Sequence, residues 1–335
     1  MDSLLIFLTM HASKDTKPMK WCPWWLMLIV LVCPPGARCA APVGFNLRFL
    51  TYLPGPINED LWPCFSPDGK VVLFCRTGDA GKTWRLFTVP SNGGEAHRLD
   101  GLPKPASETR PNWSIRTGLI AFVGSDSEDE NSIWTIDADG TNAHALIGIS
   151  GKIYYPSWCP DGEQLIIMDA GELVLKRISV HGSTAVPITD PKQVLTGMPS
   201  VSSEGKWIAF AGQQNTGRPY DERRNSIWLM SGNGVPTMLE PDRLQGRAPS
   251  WSPDGKRLAF ESNRSVPHRR YYAVYVIARD GSGLVQVTPD DLNGGHPSWS
   301  PDGKSIVFET HWWREKDNQP GTGIAIIDVL DTPAS

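Results

Sequence analysis

The sequence predicts an all-β fold, a six-bladed β-propeller of four-stranded antiparallel blades whose ring is closed by an amino-terminal outer strand. One short motif recurs six times, its copies begin 43 to 50 residues apart, and most repeats contain two hairpin patterns. This period exceeds that of leucine-rich and ankyrin repeats and suits a blade of four strands. The motif copies begin at Pro63, Pro111, Pro156, Pro199, Pro249 and Pro297.

The motif itself predicts the first hairpin of each repeat. Its fullest form, Pro-Ser-Trp-Ser-Pro-Asp-Gly-Lys, occupies residues 249–256 and 297–304, and a β-rich run follows each copy. Proline presets φ at the first turn position, Asp254 can hydrogen-bond the local backbone, and Gly255 accepts the left-handed conformation that closes the turn. The chemistry of a turn therefore explains the motif without a catalytic role.

A second hairpin follows in most repeats, and the last repeat is incomplete. Residues 132–142, 226–234 and 273–283 combine a β-rich run with an Asp-Gly or Asn-Gly bend, which two-residue hairpin turns favour. The last repeat ends after the run at 323–330, before a fourth strand. We therefore expect the segment Phe45–Pro54, ahead of the first repeat, to supply the missing outer strand and cover the exposed edge.

The first 39 residues differ in kind from the repeats. Basic residues extend to Lys20, an apolar run covers residues 24–32, and small residues follow around Ala37 and Cys39. This order predicts a signal peptide at residues 1–39 and a propeller domain at residues 40–335. An uncleaved membrane anchor is the alternative, although the apolar run is short for a membrane span. We expect a periplasmic or secreted protein with no stable membrane span after signal cleavage.

Charge and cysteine content restrict the partners and the redox chemistry. The chain has 32 basic and 36 acidic residues, and four of the basic but only two of the acidic ones lie in the first 39 residues. The remainder is mildly acidic, so we expect no nucleic-acid partner. It also contains Cys64, Cys75 and Cys159. A disulfide between Cys64 and Cys75 is one alternative, and packed free thiols in a monomeric protein are the simpler expectation.

The motif, the strand after it and the Asp-Gly bend together resemble the TolB-like β-propeller repeat. The resemblance covers all six copies, is strongest at residues 249–261 and 297–309, and is weakest at 111–123, where Ile-Arg-Thr-Gly replaces the usual turn. It implies a propeller with a binding role in the bacterial envelope. TolB itself carries an additional amino-terminal α/β domain, for which the residues before the first repeat leave too little room. We therefore expect the propeller alone.

Propeller geometry indicates where a ligand would bind. The Ser-Pro-Asp-Gly turns should lie on one face. The loops between the second and third strands, and those that join the blades, should lie on the other face, where they supply many arginines and aromatic residues. These residue types are enriched at protein interfaces and also suit an anionic group or a carbohydrate, although a solvated rim would contain them too. We predict a non-catalytic module, without a cofactor, that binds a protein or an envelope glycan. The candidate binding face comprises Arg110, Tyr155, Arg218, Arg247, Arg269, Tyr272, His296, Trp312 and Trp313.

Three histidines provide an alternative function. His268, His296 and His311 belong to adjacent repeats, and clustered histidines can bind a transition metal. Metal-dependent oligogalacturonate lyases place a histidine-rich site on one face of a related propeller, so the alternative is a metal-dependent, glycan-active enzyme of this type. The sequence offers no local pair of histidines at ligand spacing, which favours ordinary surface histidines.

Overall fold

The computed structural model describes residues 44–54, 58–80, 82–101, 107–127, 130–182, 184–232, 234–239, 245–265, 271–314 and 319–330. The strands form six separate antiparallel sheets, which confirms the predicted six-bladed propeller. Two short 3-10 helices, Glu222–Arg224 and Asp290–Leu292, lie in loops. No helix within these ranges has the length and apolar character that a membrane crossing needs.

Each of the first five blades contains four consecutive strands. Blade 1 contains β3 (Glu59–Phe65), β4 (Val71–Thr77), β5 (Arg85–Pro90) and β6 (His97–Arg98). Blade 2 contains β7 (Ser107–Trp113), β8 (Ile120–Ser127), β9 (Glu130–Ile136) and β10 (His144–Gly151). Blade 3 contains β11 (Ile153–Trp158), β12 (Gln164–Asp169), β13 (Val174–Ser179) and β14 (Ala185–Pro187). The strands of blades 4 and 5 are β15 (Val194–Val201), β16 (Trp207–Gln214), β17 (Ser226–Ser231) and β18 (Thr237–Met238); and β19 (Arg247–Trp251), β20 (Arg257–Ser262), β21 (Ala273–Ala278) and β22 (Val285–Gln286).

Blade 6 contains strands from both ends of the described chain, as the sequence predicts. Its first three strands are β23 (Gly294–Trp299), β24 (Ser305–Arg314) and β25 (Gln319–Val329). The outer edge of β25 pairs with β1 (Gly44–Phe49) and β2 (Leu53–Pro54). The amino-terminal strand therefore covers the edge that β25 would otherwise expose.

The first strand of every blade faces the centre of the ring. These strands, β3, β7, β11, β15, β19 and β23, contact one another in turn, and β23 returns to β3. The blades pack through buried apolar side chains on their second and third strands, such as Phe74, Phe122, Phe210, Phe260 and Phe308, which are fully buried. The six inner strands therefore surround a channel, and the packed blades hold its wall in place.

The repeated turn builds structure, as its residues predict. In blade 1, Ser66 Oγ donates to Oδ1 of Asp68 at 2.7 Å and accepts from the Val71 N–H at 3.0 Å. The Lys70 N–H donates to the same Asp68 oxygen, and Gly69 has a φ of 72°. Blades 5 and 6 repeat these bonds at Ser252 and Ser300. The carboxylate of the motif is therefore engaged in closing the turn.

The three cysteines of the described chain are buried free thiols. Cys64 and Cys75 lie diagonally across the β3–β4 pair, because Cys64 is opposite Leu73 and Cys75 is opposite Leu61. Burial raises the pKa of Cys64 to about 12 and that of Cys159 to about 11. These thiols pack as small apolar side chains and are poor nucleophiles at neutral pH.

Candidate functional site at the channel mouth

Six residues at equivalent positions of the six blades have the same unusual backbone conformation. Each one immediately precedes the motif proline, and each has a φ between 43° and 53°, in the left-handed region that non-glycine residues seldom occupy. A proline ordinarily directs the residue before it to extended backbone, so the conformation is imposed by the surrounding sheet. The six residues are Trp62, Arg110, Tyr155, Met198, Ala248 and His296.

A β-bulge in each inner strand accompanies this conformation. In every blade, the pairing of the first strand with the second shifts register at or beside the left-handed residue. Bulges re-aim side chains, and here all six residues line one cavity of about 120 Å³. We call this end of the channel, defined by the six residues, the channel mouth. A second cavity, of about 420 Å³, lies among the Ser-Pro turns, and we call this end of the channel the turn end.

Arg110 is surrounded by aromatic rings at the channel mouth. Its guanidinium carbon lies 4.6 Å from the ring centre of Trp62, 4.8 Å from that of Tyr154 and 4.7 Å from that of Tyr155. Cation–π contacts of this kind stabilise a charge that is partly removed from water. The guanidinium also donates from Nη1 to Thr109 Oγ1 at 3.2 Å. Within the described chain it forms no ion pair, and its Nε is buried without a hydrogen-bond partner.

His296 forms an ion pair with a buried carboxylate beneath the same rings. Its Nδ1 donates to Oε1 of Glu309 at 2.9 Å, and its backbone N–H donates to Oε2 of Glu261 at 2.9 Å. Its ring stacks on Tyr155 from the opposite blade, with centroids 6.3 Å apart and planes 11° apart, and meets Trp62 edge to face. The rings of blades 3 and 6 therefore meet across the channel.

The two carboxylates hold His296 in its charged form. Burial favours the neutral imidazole, but the attraction of Glu309 and Glu261 is larger and raises the pKa of His296 to about 9. Burial likewise favours the neutral acid at Glu309, and the charge and hydrogen bond of His296 reverse that effect, so the pKa of Glu309 lies below its ordinary value. Imidazolium and carboxylate are thus both ionised at neutral pH. In the described structure, Nε2 of the imidazolium is buried without a partner.

A second cluster adjoins the mouth through Glu261. Nε of Arg247 lies 3.1 Å from Oε1 of Glu261, and Nη1 lies 3.5 Å from Oε1 of Glu222. Burial opposes the charge of Arg247, but Glu261 and Glu222 outweigh it and raise the pKa of Arg247 above its ordinary value. The guanidinium also covers the ring of Tyr272 at 5.3 Å. Glu261 therefore bridges the Arg247–Tyr272 cluster to His296.

The structure brings together five of the nine residues predicted for the binding face. Arg110, Tyr155 and His296 meet at the channel mouth, and Arg247 and Tyr272 adjoin it. Arg218 is exposed in the loop between β16 and β17, outside these contacts. Of the other three predicted residues, Arg269 falls outside the described residues. Trp312 and Trp313 are described only by their backbone, which forms part of β24.

The histidines fit a metal site poorly. Nδ1 of His296 is already engaged by Oε1 of Glu309 at 2.9 Å. Nε2 of His311 lies 4.0 Å from the same Glu309 oxygen, and His268 falls outside the described residues. Within the described ranges, no three His, Cys, Asp or Glu side chains form a group that could hold a metal ion.

Sequence reasoning missed five residues that build this site. Trp62, Met198 and Ala248 complete the ring of left-handed residues, and the signal that could have identified them is their place before the motif proline. Glu261 and Glu309 were also missed, because the sequence motif draws attention to turn carboxylates such as Asp254 and not to those within strands. Their shared position, after the apolar run of the second strand in blades 5 and 6, is a visible signal.

Comparison with known proteins shows which proteins this propeller resembles. No protein-family model matches the chain. The Tol-Pal system protein TolB of Bordetella pertussis is 27% identical over 210 residues, which is 59% of this chain and 45% of that protein. The chain carries a TolB-like β-propeller. It spans less than half the length of the TolB protein that it matches.

Solved structures agree with the TolB-like fold. A TolB candidate from Agrobacterium tumefaciens superposes with a TM-score of 0.60 at 16% identity, covering 82% of this chain and 91% of that one. An oligogalacturonate lyase in complex with manganese superposes with a TM-score of 0.52 at 13% identity, covering 87% and 99%. At these identities, both likenesses concern the fold alone.

Proposed function

We propose that the TolB-like propeller is a non-catalytic binding module of the cell envelope that engages a protein ligand at its channel mouth. The observation that carries this proposal is the ring of six left-handed residues, which presents aromatic and cationic side chains to one cavity. Backbone held in a sparsely populated conformation is characteristic of functional sites. Tyr, Trp and Arg are also the residues that dominate binding energy at protein interfaces.

The state of the charged groups favours binding over catalysis. A general base must be able to accept a proton near neutral pH, but the charge on His296 is held by two carboxylates, and Glu309 is held ionised by His296. These groups support the wall of the mouth. The glycan-active alternative needs a metal site or an acid–base pair, and the described residues of the mouth favour neither.

The proposal includes export to the periplasm or the cell exterior. It rests on the order of basic, apolar and small residues in the first 39 positions and on the resemblance to TolB. Mass spectrometry of the exported protein should find an amino terminus near Ala40. A product that retains residues 24–32 would contradict the assignment of residues 1–39 as a signal peptide.

Tyr155→Ala should weaken binding while leaving the propeller folded. Alanine is a suitable replacement, because Ala248 occupies the equivalent left-handed position in blade 5. If Tyr155 is a binding hot spot, its truncation costs on the order of 2 kcal/mol, or about thirtyfold in affinity. The partner is recovered by passing an envelope extract over the immobilised protein, then purified, and its affinity is measured by calorimetry.

The matched control for this experiment is Ile115→Ala. Ile115 is 72% exposed and lines the cavity at the turn end, so its truncation leaves the channel mouth intact. The control should bind the partner as the wild type does. If the two variants bind equally well, the channel mouth is not the binding site.

A further inference from the structure

Among the charged side chains at the channel mouth, Arg110 alone lacks a carboxylate partner within the described chain. The charge of His296 is balanced by Glu309 at 2.9 Å, and that of Arg247 by Glu261 at 3.1 Å. Arg110 instead rests on Trp62, Tyr154 and Tyr155, and its single described hydrogen bond goes to Thr109. An arginine has five N–H donors, so most of its donor capacity is unused.

Nη1 of Arg110 donates to Thr109, whereas Nη2 has no hydrogen-bond partner within the described chain. Aromatic rings attract a guanidinium through its flat face, whereas its N–H groups point outward in the plane. Such an edge matches a carboxylate, which accepts two parallel hydrogen bonds. The rings also remove part of the guanidinium from water, since its Nε is buried, and this strengthens a charged hydrogen bond. The protonated His296, stacked on the same Tyr155, adds positive charge nearby.

We propose that Arg110 at the channel mouth is the binding site for the carboxylate of an acidic side chain of the protein ligand. This inference rests on the proposed function and deepens it by naming the chemical group that enters the cavity. A volume of about 120 Å³ accommodates the end of one or two side chains rather than a folded domain. The ligand therefore inserts an acidic side chain, while its remaining contacts lie around the mouth.

A peptide carboxylate fits the mouth better than a uronic acid. A sugar ring binds by stacking its apolar face on an aromatic side chain. At this mouth, one face of each of Trp62, Tyr154 and Tyr155 is already covered by the guanidinium, at 4.6 to 4.8 Å. The carboxylate end of a flexible side chain needs only the edge of Arg110.

The site can be tested with a small probe and without the natural partner. N-acetyl-L-glutamic acid α-amide is titrated into the full protein labelled with nitrogen-15, and the Nε–H resonance of Arg110 is followed by NMR. The matched neutral probe is N-acetyl-L-glutamine amide, and sodium galacturonate represents the uronic acid. We expect a saturable shift of the Arg110 resonance with the glutamate probe and none with the neutral probe. No shift with the glutamate probe, an equal shift with the neutral one, or a shift with galacturonate alone would overturn the proposal.

Two variants make the test specific to the charge. Arg110→Met removes the charge and keeps an unbranched chain, which Met198 already supplies at the same position of blade 4. Arg116→Met changes an exposed arginine of the same blade at the turn end. In competition against the purified partner, Arg110→Met should weaken inhibition by the glutamate probe at least about tenfold, and Arg116→Met should not. An unchanged inhibition constant in Arg110→Met would overturn the carboxylate site.

These measurements separate the failure of this inference from that of the proposed function. If Tyr155→Ala weakens binding of the partner but the Arg110 resonance does not shift with the glutamate probe, the carboxylate site is contradicted. The proposed binding module is then still supported. The opposite combination is a saturable shift at Arg110 in a protein whose Tyr155→Ala variant binds the partner as tightly as the wild type. This result shows a carboxylate site at Arg110 and contradicts the proposed binding face.

Discussion

Leu50→Ala should lower the free energy of unfolding by about 2 to 5 kcal/mol, the usual cost of truncating a buried leucine. Leu50 is 8% exposed and packs in the cluster that includes Phe74, Ile324 and Ile326. Its N–H donates to the Ile324 carbonyl at 2.8 Å, and the Ile324 N–H donates to Oγ1 of Thr51 at 2.9 Å. The residue thus fastens the amino-terminal segment to the last strand of blade 6.

Urea denaturation of Leu50→Ala and Leu47→Ala measures this effect. Leu47 lies on β1 itself but is 39% exposed, so its truncation should change the unfolding free energy by no more than about 0.5 kcal/mol.

Deleting residues 45–54 should have a larger effect, because it exposes the edge of β25 and promotes aggregation. A deletion variant that stays monodisperse with an unchanged melting temperature would show that closure of blade 6 contributes nothing.

The stability of the protein should fall as the pH rises from 6.5 to about 9. The ordinary pKa of histidine is 6.5, and the folded protein raises that of His296 to about 9. Because the raised pKa means that folding favours the protonated form, the stabilisation is complete below pH 6.5 and is lost as the pH passes through about 9. At about 1.4 kcal/mol per pKa unit, the loss is on the order of 3 kcal/mol.

Unfolding free energies measured across this pH range, with two histidine variants, test the assignment. His181 also contacts a carboxylate, Glu163 at 2.7 Å, but both side chains are largely exposed. His181→Gln should therefore keep the wild-type pH profile, whereas His296→Gln should be less stable below pH 6.5 and approach the wild type above 9. NMR titration of the His296 ring in the wild type gives an independent value. A His296 that titrates near 6.5 would contradict the buried ion pair.

Repetition made the fold predictable from the sequence. Each repeat contains its own turn chemistry, in which Ser66, Asp68 and Gly69 close the first hairpin through local bonds that recur in later blades. The last repeat lacks a fourth strand, and the segment at 45–54 belongs to no repeat. Together these two facts predicted that the segment completes blade 6. Local bonds between residues close in sequence are the part of a structure that sequence patterns describe best.

The channel mouth was only partly predictable, because its geometry departs from local preference. A residue before proline is expected in extended backbone, yet Trp62, Met198 and Ala248 are left-handed and point into the channel. The pairing of the first and second strands imposes this conformation through one bulge in each blade. The pairing of His296 with Glu309 also depends on register between two strands, and sequence spacing alone does not reveal the ion pair that keeps both buried groups charged.

The footprint of the bound partner is the most direct test of the central claim that the channel mouth is the binding site. Hydrogen exchange of backbone amides is measured for the protein alone and in complex with the purified partner. We predict protection in the loops around the left-handed residues, above all near Trp62, Arg110, Tyr155 and His296, with unchanged exchange in the turns at 66–70 and 252–256. Protection of those turns with unchanged exchange at the mouth would contradict the proposed binding face.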